Sequence, residues 1–564
     1  MTALFRSSCA AALLAALGLA APAAIADPAP ATAAQGVVSA PVDAVNPPAE
    51  ASAPPSSPAS PEISPQLPPP LSPMSAAIQS ALGAMDGKAF KTSPIGAGDW
   101  RAASEAIRRF YEARDHAPLW VDESGLTPAG SSALRRLLRA DEDGLDLSAF
   151  ALPKEPPTAA TPERLGEMDV VLSEAVVAYA MQASGARIAP TRISPLITQR
   201  PTVAEPAAAL TSVSAAADPG AALEAFNPPQ RGYLDLRDQL SRLRAETPAR
   251  PAPIPSGPSL GLGMADPRVP MVRERLGAPQ PAEGKDPQVY DLRLAVAVAA
   301  FQRSHGLPAT GALTPGTVEA LSGGAASSRR EARILANMEM WRWEPHAMGE
   351  ERIEINIPDY SLRLMDGDTL VHEARVIVGK PDTPTPVFSN EMRYILVNPI
   401  WRVPDSIIKK EMEPKLAEDP DYLTRRGYEV TQVGDRLIVK QPPGEANALG
   451  RILFMFPNEH AVYLHDTPLR SLFASERRAF SHGCVRVEQP MRLAQLVMGS
   501  GWTVGRLKAL IGKSERTVLL PHTIPIHLEY FTEFVDDSGA LQDREDIYGI
   551  TRRVAGTIAQ ISQD

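Results

Sequence analysis

The chain has 564 residues and a formal net charge of −10. This length predicts two to four domains, since one domain takes roughly 100–200 residues. Acidic and basic residues are interspersed, and no basic run is interleaved with aromatic residues. This pattern excludes the usual signature of a nucleic-acid-binding protein.

The first 26 residues have the pattern of an export signal. Arg6 supplies positive charge, residues 9–21 are apolar, and residues 24–26 read Ala-Ile-Ala, a small-residue cleavage site. The apolar stretch is shorter than the roughly 20 residues of a membrane span. We therefore expect a cleaved signal and an exported protein, with an uncleaved membrane anchor as the alternative.

Cys484 is expected to be the one cysteine of the exported protein. The chain has two cysteines, Cys9 and Cys484, and Cys9 leaves with the signal. The exported protein would keep one thiol and no disulfide. A lone thiol in an oxidising compartment calls for an explanation, and a reactive role is one.

Residues 27–75 are predicted to be a disordered spacer. Positions 28–73 hold 14 prolines and no aromatic or basic residue, so they have too little apolar surface to offset the entropy of ordering. Residues 76–247 then show apolar positions at helical spacing, and Thr161-Pro162 has the pattern of a helix start. These residues predict a helical domain.

A proline-rich boundary at 248–258 precedes a small domain at 259–325. Its signature residues are Phe301, Gln302, Gly306, Leu307, Gly311, Thr317 and Leu321. With these residues the sequence resembles the three-helix peptidoglycan-binding domain, which implies a wall-binding role. The alternative is that the matching residues only build a small helical core.

From Arg352 onward the pattern changes from helix to strand. β-Branched and apolar residues dominate, and Asp366-Gly367 is the turn of a predicted hairpin. We predict a mostly-β domain at 330–550, with a polar helical insert at about 405–445 and a tail at 551–564.

Cys484 and His465 form the candidate catalytic pair. His465 ends one predicted strand, and Cys484 follows the turn “SHG” and opens the next, 19 positions later. A thiol attacks a carbonyl carbon as thiolate, so it needs a group that takes its proton. A lone cysteine is more often a buried apolar residue, but the Ser-His-Gly turn and the unpaired thiol favour catalysis here.

The residues around Cys484 suit the same chemistry. Alternation along the strand puts Arg486 on the face of Cys484, where its charge would favour the thiolate or bind a substrate carboxylate. Gly483 has no Cβ, so the N–H groups of Gly483 and Cys484 are predicted to form an oxyanion hole.

The stretch “SHGCVRV”, preceded by the histidine of “YLHDTP”, resembles the catalytic motif of the L,D-transpeptidases, cell-wall cross-linking enzymes with a cysteine nucleophile. The resemblance covers about residues 95–550. Over this range the chain is similar to the periplasmic YcbB-type subfamily. It implies a multidomain α+β fold: a helical scaffold domain, the small three-helix domain and a mostly-β catalytic domain with a helical capping insert. Further matching stretches are “FYEARDHAPLW”, “NMEMWRWEP”, “VIVGKPDTPTPVFS” and “NPIWRVPDSI”.

The resemblance assigns roles position by position. Cys484 is similar to the nucleophile and His465 to the general base, with the backbone carbonyl of Asp466 orienting the imidazole. Three more residues are implied to shape the site or to lie beside the acyl group: Ser481, His482 and Tyr463.

Tryptophans near the catalytic domain have two interpretations each. Trp401 is predicted to line the cleft beside the insert, with simple packing as the alternative. Trp341, Arg342 and Trp343 resemble a sugar-stacking cluster, but packing between domains is the preferred interpretation.

The implied activity is peptidoglycan 3→3 cross-linking in the periplasm, with no metal or organic cofactor. Stem peptides are the expected substrates and carbapenem β-lactams the expected inhibitors. Alternatives keep the acyl-enzyme but change the acceptor to water, a free D-amino acid or an outer-membrane protein, and wall-synthesis enzymes are further candidate partners. A non-catalytic wall-binding scaffold is the remote alternative.

Overall fold

The computed structural model describes residues 70–89, 99–154, 161–246, 254–255, 257–281, 283–304, 306–321 and 325–561. The predicted export signal and nearly all of the predicted spacer lie outside these residues. The described part is a multidomain α+β protein. None of its helices combines the length and apolar character needed to cross a membrane.

The N-terminal domain is helical, and many of its helices begin with proline, which suits the first helical turn. Its longest helix is buried on nearly all sides and forms the centre of the domain core. The helices are α1 (Pro73–Ala84), α2 (Asp99–Glu112), α3 (Pro128–Leu137), α4 (Pro162–Ala183), α5 (Pro190–Ile193), α6 (Pro206–Ala215), α7 (Pro219–Glu224) and α8 (Arg231–Glu246), and a small hairpin is formed by β1 (Val121–Asp122) and β2 (Gly125–Leu126).

Asp169 ties the centre of this domain together. Its buried carboxylate accepts hydrogen bonds from the N–H groups of Leu119, Trp120 and Val121 and from the hydroxyl of Tyr111. Burial raises the pKa of Asp169 despite these bonds. The carboxylate therefore fixes the chain before β1 against α4.

Replacing Asp169 with alanine should destabilise the N-terminal domain by roughly 3 kcal/mol or more, because several buried donors would lose their acceptor. Thermal unfolding followed by circular dichroism measures this change. Glu123→Ala removes a carboxylate from an exposed position nearby and is the control. Equal melting temperatures for the two variants would contradict the structural role of Asp169.

In its described residues, the second domain has three short helices around a small core: α9 (Val269–Arg275), α10 (Leu292–Ser304) and α11 (Pro315–Leu321). Gln302 is buried, donates to the carbonyl of Ala312 and the hydroxyl of Thr317, and accepts from the N–H of Gly311. Gln302, Gly311 and Thr317 all belong to the residues that carry the resemblance, and their hydrogen bonds stabilise the fold of this domain.

The C-terminal domain begins with α12 (Ala325–Trp341) and is built on one sheet. The sheet order is β12-β5-β13-β11-β10-β6-β14-β3-β4, and β4 also pairs with β5, so eight of the strands close on themselves. The strands are β3 (Glu351–Asn356), β4 (Ser361–Asp366), β5 (Thr369–Gly379), β6 (Phe388–Val397), β10 (Ile452–Met455), β11 (Leu464–His465), β12 (Ala479–Ser481), β13 (Val485–Val487) and β14 (Arg516–Glu529).

The insert between β6 and β10 is part helix and part sheet. It contains β7 (Trp401–Arg402), α13 (Asp405–Ile407), a π-helical turn (Ile408–Met412) and α14 (Glu413–Glu418), followed by β8 (Glu429–Val433) and β9 (Arg436–Gln441). Its strands form a separate sheet in the order β7-β9-β8. The sequence predicted the helical part but not that it is anchored by its own sheet.

The C-terminal end corrects one prediction. Most of the segment predicted as a tail at 551–564 is helix α17 (Ile550–Ile561), whose Val554 and Ile558 are buried. The domain also contains α15 (Pro490–Val497), α16 (Val504–Lys508) and the hairpin of β15 (Glu533–Val535) and β16 (Leu541–Asp543).

Buried contacts join the N-terminal and C-terminal domains. The ring of Trp341 lies against Gly232 of α8. The guanidinium of Arg342 donates to the backbone carbonyl of Asp143 at 2.6 Å and to the hydroxyl of Tyr233 at 2.9 Å. Trp343 is buried as well. These positions agree with packing between domains.

Candidate active site

The candidate catalytic residues lie on two neighbouring strands. Strands β11 and β13 run parallel, with Leu464 opposite Val485 and His465 opposite Arg486. Side chains alternate along a strand, so His465 and Arg486 share a face with Tyr463 and Cys484, which precede them by two positions. The pairing brings the thiol, the imidazole and the guanidinium together.

The thiol of Cys484 is buried in this structure. The residue is 3% exposed, and its Sγ lies 3.8 Å from the carbonyl oxygen of Ala461. Burial raises the pKa of Cys484 to about 12, although the backbone of Tyr463 and the charge of Arg486 act in the opposite direction. The predicted support of the thiolate by Arg486 is therefore present but outweighed in this structure, because desolvation disfavours the thiolate.

His465 is fully buried as a neutral ring. Burial, and next the charge of Arg486, lower the pKa of His465 to about 3. The backbone groups of Asp466 and Leu449 act in the opposite direction, without reaching full hydrogen-bond geometry to the ring nitrogens. A neutral imidazole can accept the thiol proton, and proton transfer would have to accompany attack on a substrate.

The predicted oxyanion hole needs a correction. The N–H of Gly483 donates to the hydroxyl oxygen of Ser481 at 3.1 Å, and that hydroxyl donates to the carbonyl of Cys484 at 2.5 Å. The N–H of Gly483 is therefore already hydrogen-bonded within the turn. Of the two predicted oxyanion-hole donors, only the N–H of Cys484 remains. The turn still requires glycine, since φ at Gly483 is +122°.

A segment distant in sequence holds the motif in place. The hydroxyl of Thr385 donates to the carbonyl of Gly483 at 2.7 Å and accepts from the N–H of Gly379 at 2.9 Å. The N–H of Lys380 donates to the carbonyl of Ser481 at 3.0 Å. The sequence did not identify Lys380 or Thr385 individually, although both lie in “VIVGKPDTPTPVFS”, one of the stretches that carry the resemblance.

His482 connects the motif to the insert. Its Nε2 lies 3.0 Å from Oε1 of Glu411, in the π-helical turn. Burial and the charge of Lys380 lower the pKa of His482, whereas Glu411 raises it. Glu411 is therefore a further residue at this site that the sequence did not identify.

Two predicted aromatic residues lie in different settings. Tyr463 is buried with its ring edge-on to His465, the centroids 6.0 Å apart. Trp401 is 1% exposed and packs against Tyr428 in the insert. The predicted contact of Trp401 with substrate is not supported by this position, because its ring has almost no free surface.

Among the described residues, no group of His, Cys, Asp or Glu side chains is arranged to hold a metal ion.

Arg486 is an unusual buried cation. It is 2% exposed, and its Nε and Nη1 have no hydrogen-bond partner among the described residues. Burial lowers the pKa of Arg486 to about 10, against the influence of Cys484. Leaving a buried guanidinium without an anion costs free energy. The arrangement is suited to a negative charge that develops at the site during a reaction.

Replacing Arg486 with methionine should raise the pKa of Cys484 further, because the nearby positive charge that favours the thiolate is lost. Alkylation by iodoacetamide at a fixed, mildly alkaline pH should then be about tenfold slower for each unit of pKa increase. An unchanged alkylation rate would show that Arg486 does not act on the thiol.

Comparisons with known proteins identify domain families along the chain. A family model for the L,D-transpeptidase catalytic domain matches residues 350–518, and a scaffold domain model matches residues 105–240. A model described as “Putative peptidoglycan binding domain” matches residues 268–321. The YcbB-type subfamily stays a prediction.

One similar curated protein is the “Putative L,D-transpeptidase” of Haemophilus influenzae. It is 34% identical over 232 residues, which cover 38% of this chain and 46% of that protein. The match thus spans a little under half of that relative's length.

Solved structures give weaker likenesses. An L,D-transpeptidase from Mycobacterium smegmatis is 12% identical, with a TM-score of 0.18, over 32% of this chain and 58% of that one. An L,D-transpeptidase from Xylanimonas cellulosilytica is 16% identical, with a TM-score of 0.15, over 49% of this chain and 98% of that one.

The three family matches follow one another along the chain in the order of the domains described above. The catalytic-domain match includes both candidate catalytic strands, β11 and β13. Residues 350–518 therefore belong to the L,D-transpeptidase catalytic domain family, and the chain joins this domain to a scaffold domain and a peptidoglycan-binding domain.

Proposed function

We propose that the protein is a periplasmic peptidoglycan L,D-transpeptidase that forms 3→3 cross-links through a thioester on Cys484. The family matches support the class of reaction and its polymer. The second domain would tether the enzyme to the wall.

The first step is acylation of Cys484. His465 takes the thiol proton while sulfur attacks the carbonyl carbon of the third residue of a tetrapeptide stem. The carbon–nitrogen bond to the terminal D-alanine breaks, and His465 returns the proton to the leaving amine. The N–H of Cys484 and the charge of Arg486 would stabilise the developing negative charge.

The second step transfers the acyl group. The amine of another stem attacks the thioester, the carbon–sulfur bond breaks, and His465 passes the amine proton to the departing sulfur. The product is an amide that links two third residues, and the free enzyme is regenerated.

One observation carries the proposal. Cys484, His465 and Arg486 lie on one face of adjacent parallel strands, buried together, and two guanidinium nitrogens of Arg486 have no hydrogen-bond partner among the described residues. A structural cysteine would need neither the neutral imidazole nor the unpaired cation.

The proposal is tested by incubating the purified protein with tetrapeptide-stem fragments of peptidoglycan and separating the products by mass. We expect dimers linked through two third residues and equimolar free D-alanine. Tripeptide alone would indicate a carboxypeptidase, and unchanged substrate with folded protein would favour the non-catalytic scaffold.

A further inference from the structure

Glu411 places a carboxylate of the insert directly on the catalytic motif. It belongs to the π-helical turn at Ile408–Met412, and its Oε1 lies 3.0 Å from Nε2 of His482. The side chain of Glu411 is 38% exposed and that of His482 is 13% exposed. Glu411 therefore touches the motif two residues before Cys484 and still faces solvent.

The charges around His482 are of two signs. Lys380 and Arg486 lower the pKa of His482, and Glu411 raises it. Burial and the two cations lower the pKa of His482, and Nε2 lies at hydrogen-bond distance from the carboxylate of Glu411. Glu411, which belongs to the insert, places a negative charge beside the ring.

Because two of the charges near His482 are positive, the site is unfavourable for a cation unless Glu411 binds that cation. An amine acceptor approaches the site as an ammonium ion, and Lys380 and Arg486 repel it. A carboxylate held beside the motif supplies the opposite charge and a hydrogen-bond acceptor. Water carries no charge and gains little from the same group.

We propose that Glu411, held in place by His482, binds the cationic amine of the acceptor stem and so sets the preference for amine over water. This inference rests on the proposed transpeptidase function. The bound ammonium loses one proton to solvent, and the neutral amine then attacks the thioester. The carbon–nitrogen bond forms as the carbon–sulfur bond breaks, and the second proton passes through His465 to the sulfur of Cys484.

The test compares Glu411→Gln with Glu413→Gln, which removes a carboxylate from an exposed position of the same insert. Each variant is incubated with tetrapeptide fragments, and two quantities are measured: the rate of D-alanine release in the first turnover, and the ratio of cross-linked to hydrolysed product. In Glu411→Gln, the ratio of cross-linked to hydrolysed product should fall, and the factor of this fall should be about ten times the factor by which D-alanine release slows. Glu413→Gln should match the unmodified protein, and Glu411→Asp should restore part of the ratio.

The outcomes separate this inference from the function on which it rests. If the unmodified protein forms neither a thioester nor a cross-link, the proposed function fails. If it cross-links and Glu411→Gln gives the same product ratio, the assignment of Glu411 is overturned. Equal falls in D-alanine release and in cross-linking would also overturn it, because they would place Glu411 in the first step or in folding.

Discussion

Replacing Cys484 with alanine should abolish cross-linking, with a fall in rate of about 10⁶-fold, the size of effect seen when a catalytic nucleophile is removed. The fold should survive, because alanine loses only the sulfur atom from a buried position. Product analysis by mass measures the first effect, and thermal unfolding measures the second.

Cys484→Ser is the matched control for shape. It keeps a side chain of similar size but replaces the thiol with a hydroxyl, which is a much weaker nucleophile at this site. We expect it to be as inactive as Cys484→Ala and close to the unmodified protein in melting temperature. Cross-linking retained by either purified variant would remove Cys484 from its assigned role.

His465→Ala should slow acylation by roughly 10²–10⁴-fold, the usual contribution of a general base. The pH dependence gives a second readout. Because the pKa of His465 is lowered to about 3, its neutral, proton-accepting form persists as the pH falls through the ordinary histidine range. Activity should therefore show no inflection near the unperturbed histidine pKa of about 6.5.

The control for His465 is His522→Ala, which removes an exposed histidine that contacts Glu351. It should leave acylation unchanged. An inflection near the ordinary histidine pKa that disappears in His465→Ala would contradict the buried, neutral state of this ring. Equal acylation rates in His465→Ala and the unmodified protein would exclude His465 as the base.

The sequence predicted those parts of the site that depend on local pattern. The alternation around Cys484 and Arg486, and the strand that ends at His465, follow from side-chain period and turn residues within a few positions. Helix α17 also carried such a signal, since Ile550, Val554 and Ile558 recur at helical spacing, but the segment was interpreted as a tail.

Other features depend on contacts that a local pattern does not encode. Thr385 reaches the carbonyl of Gly483 across 98 positions, and the closure of the sheet depends on β5 pairing with both β4 and β13. The hydroxyl oxygen of Ser481 accepts a hydrogen bond from the N–H of Gly483. This bond depends on a turn conformation that the residue types alone do not specify. Burial of Cys484 depends on how the whole domain packs around it.

Locating the adduct of a carbapenem tests the central claim, a thioester on Cys484, most directly. The β-lactam carbonyl would take the place of the stem carbonyl, and ring opening would leave a stable thioester. Intact mass should show one added drug molecule, and peptide mapping should place it on Cys484, with His465→Ala forming it much more slowly. An adduct on another residue, or none at drug excess with folded protein, would contradict the assignment of Cys484 as the nucleophile.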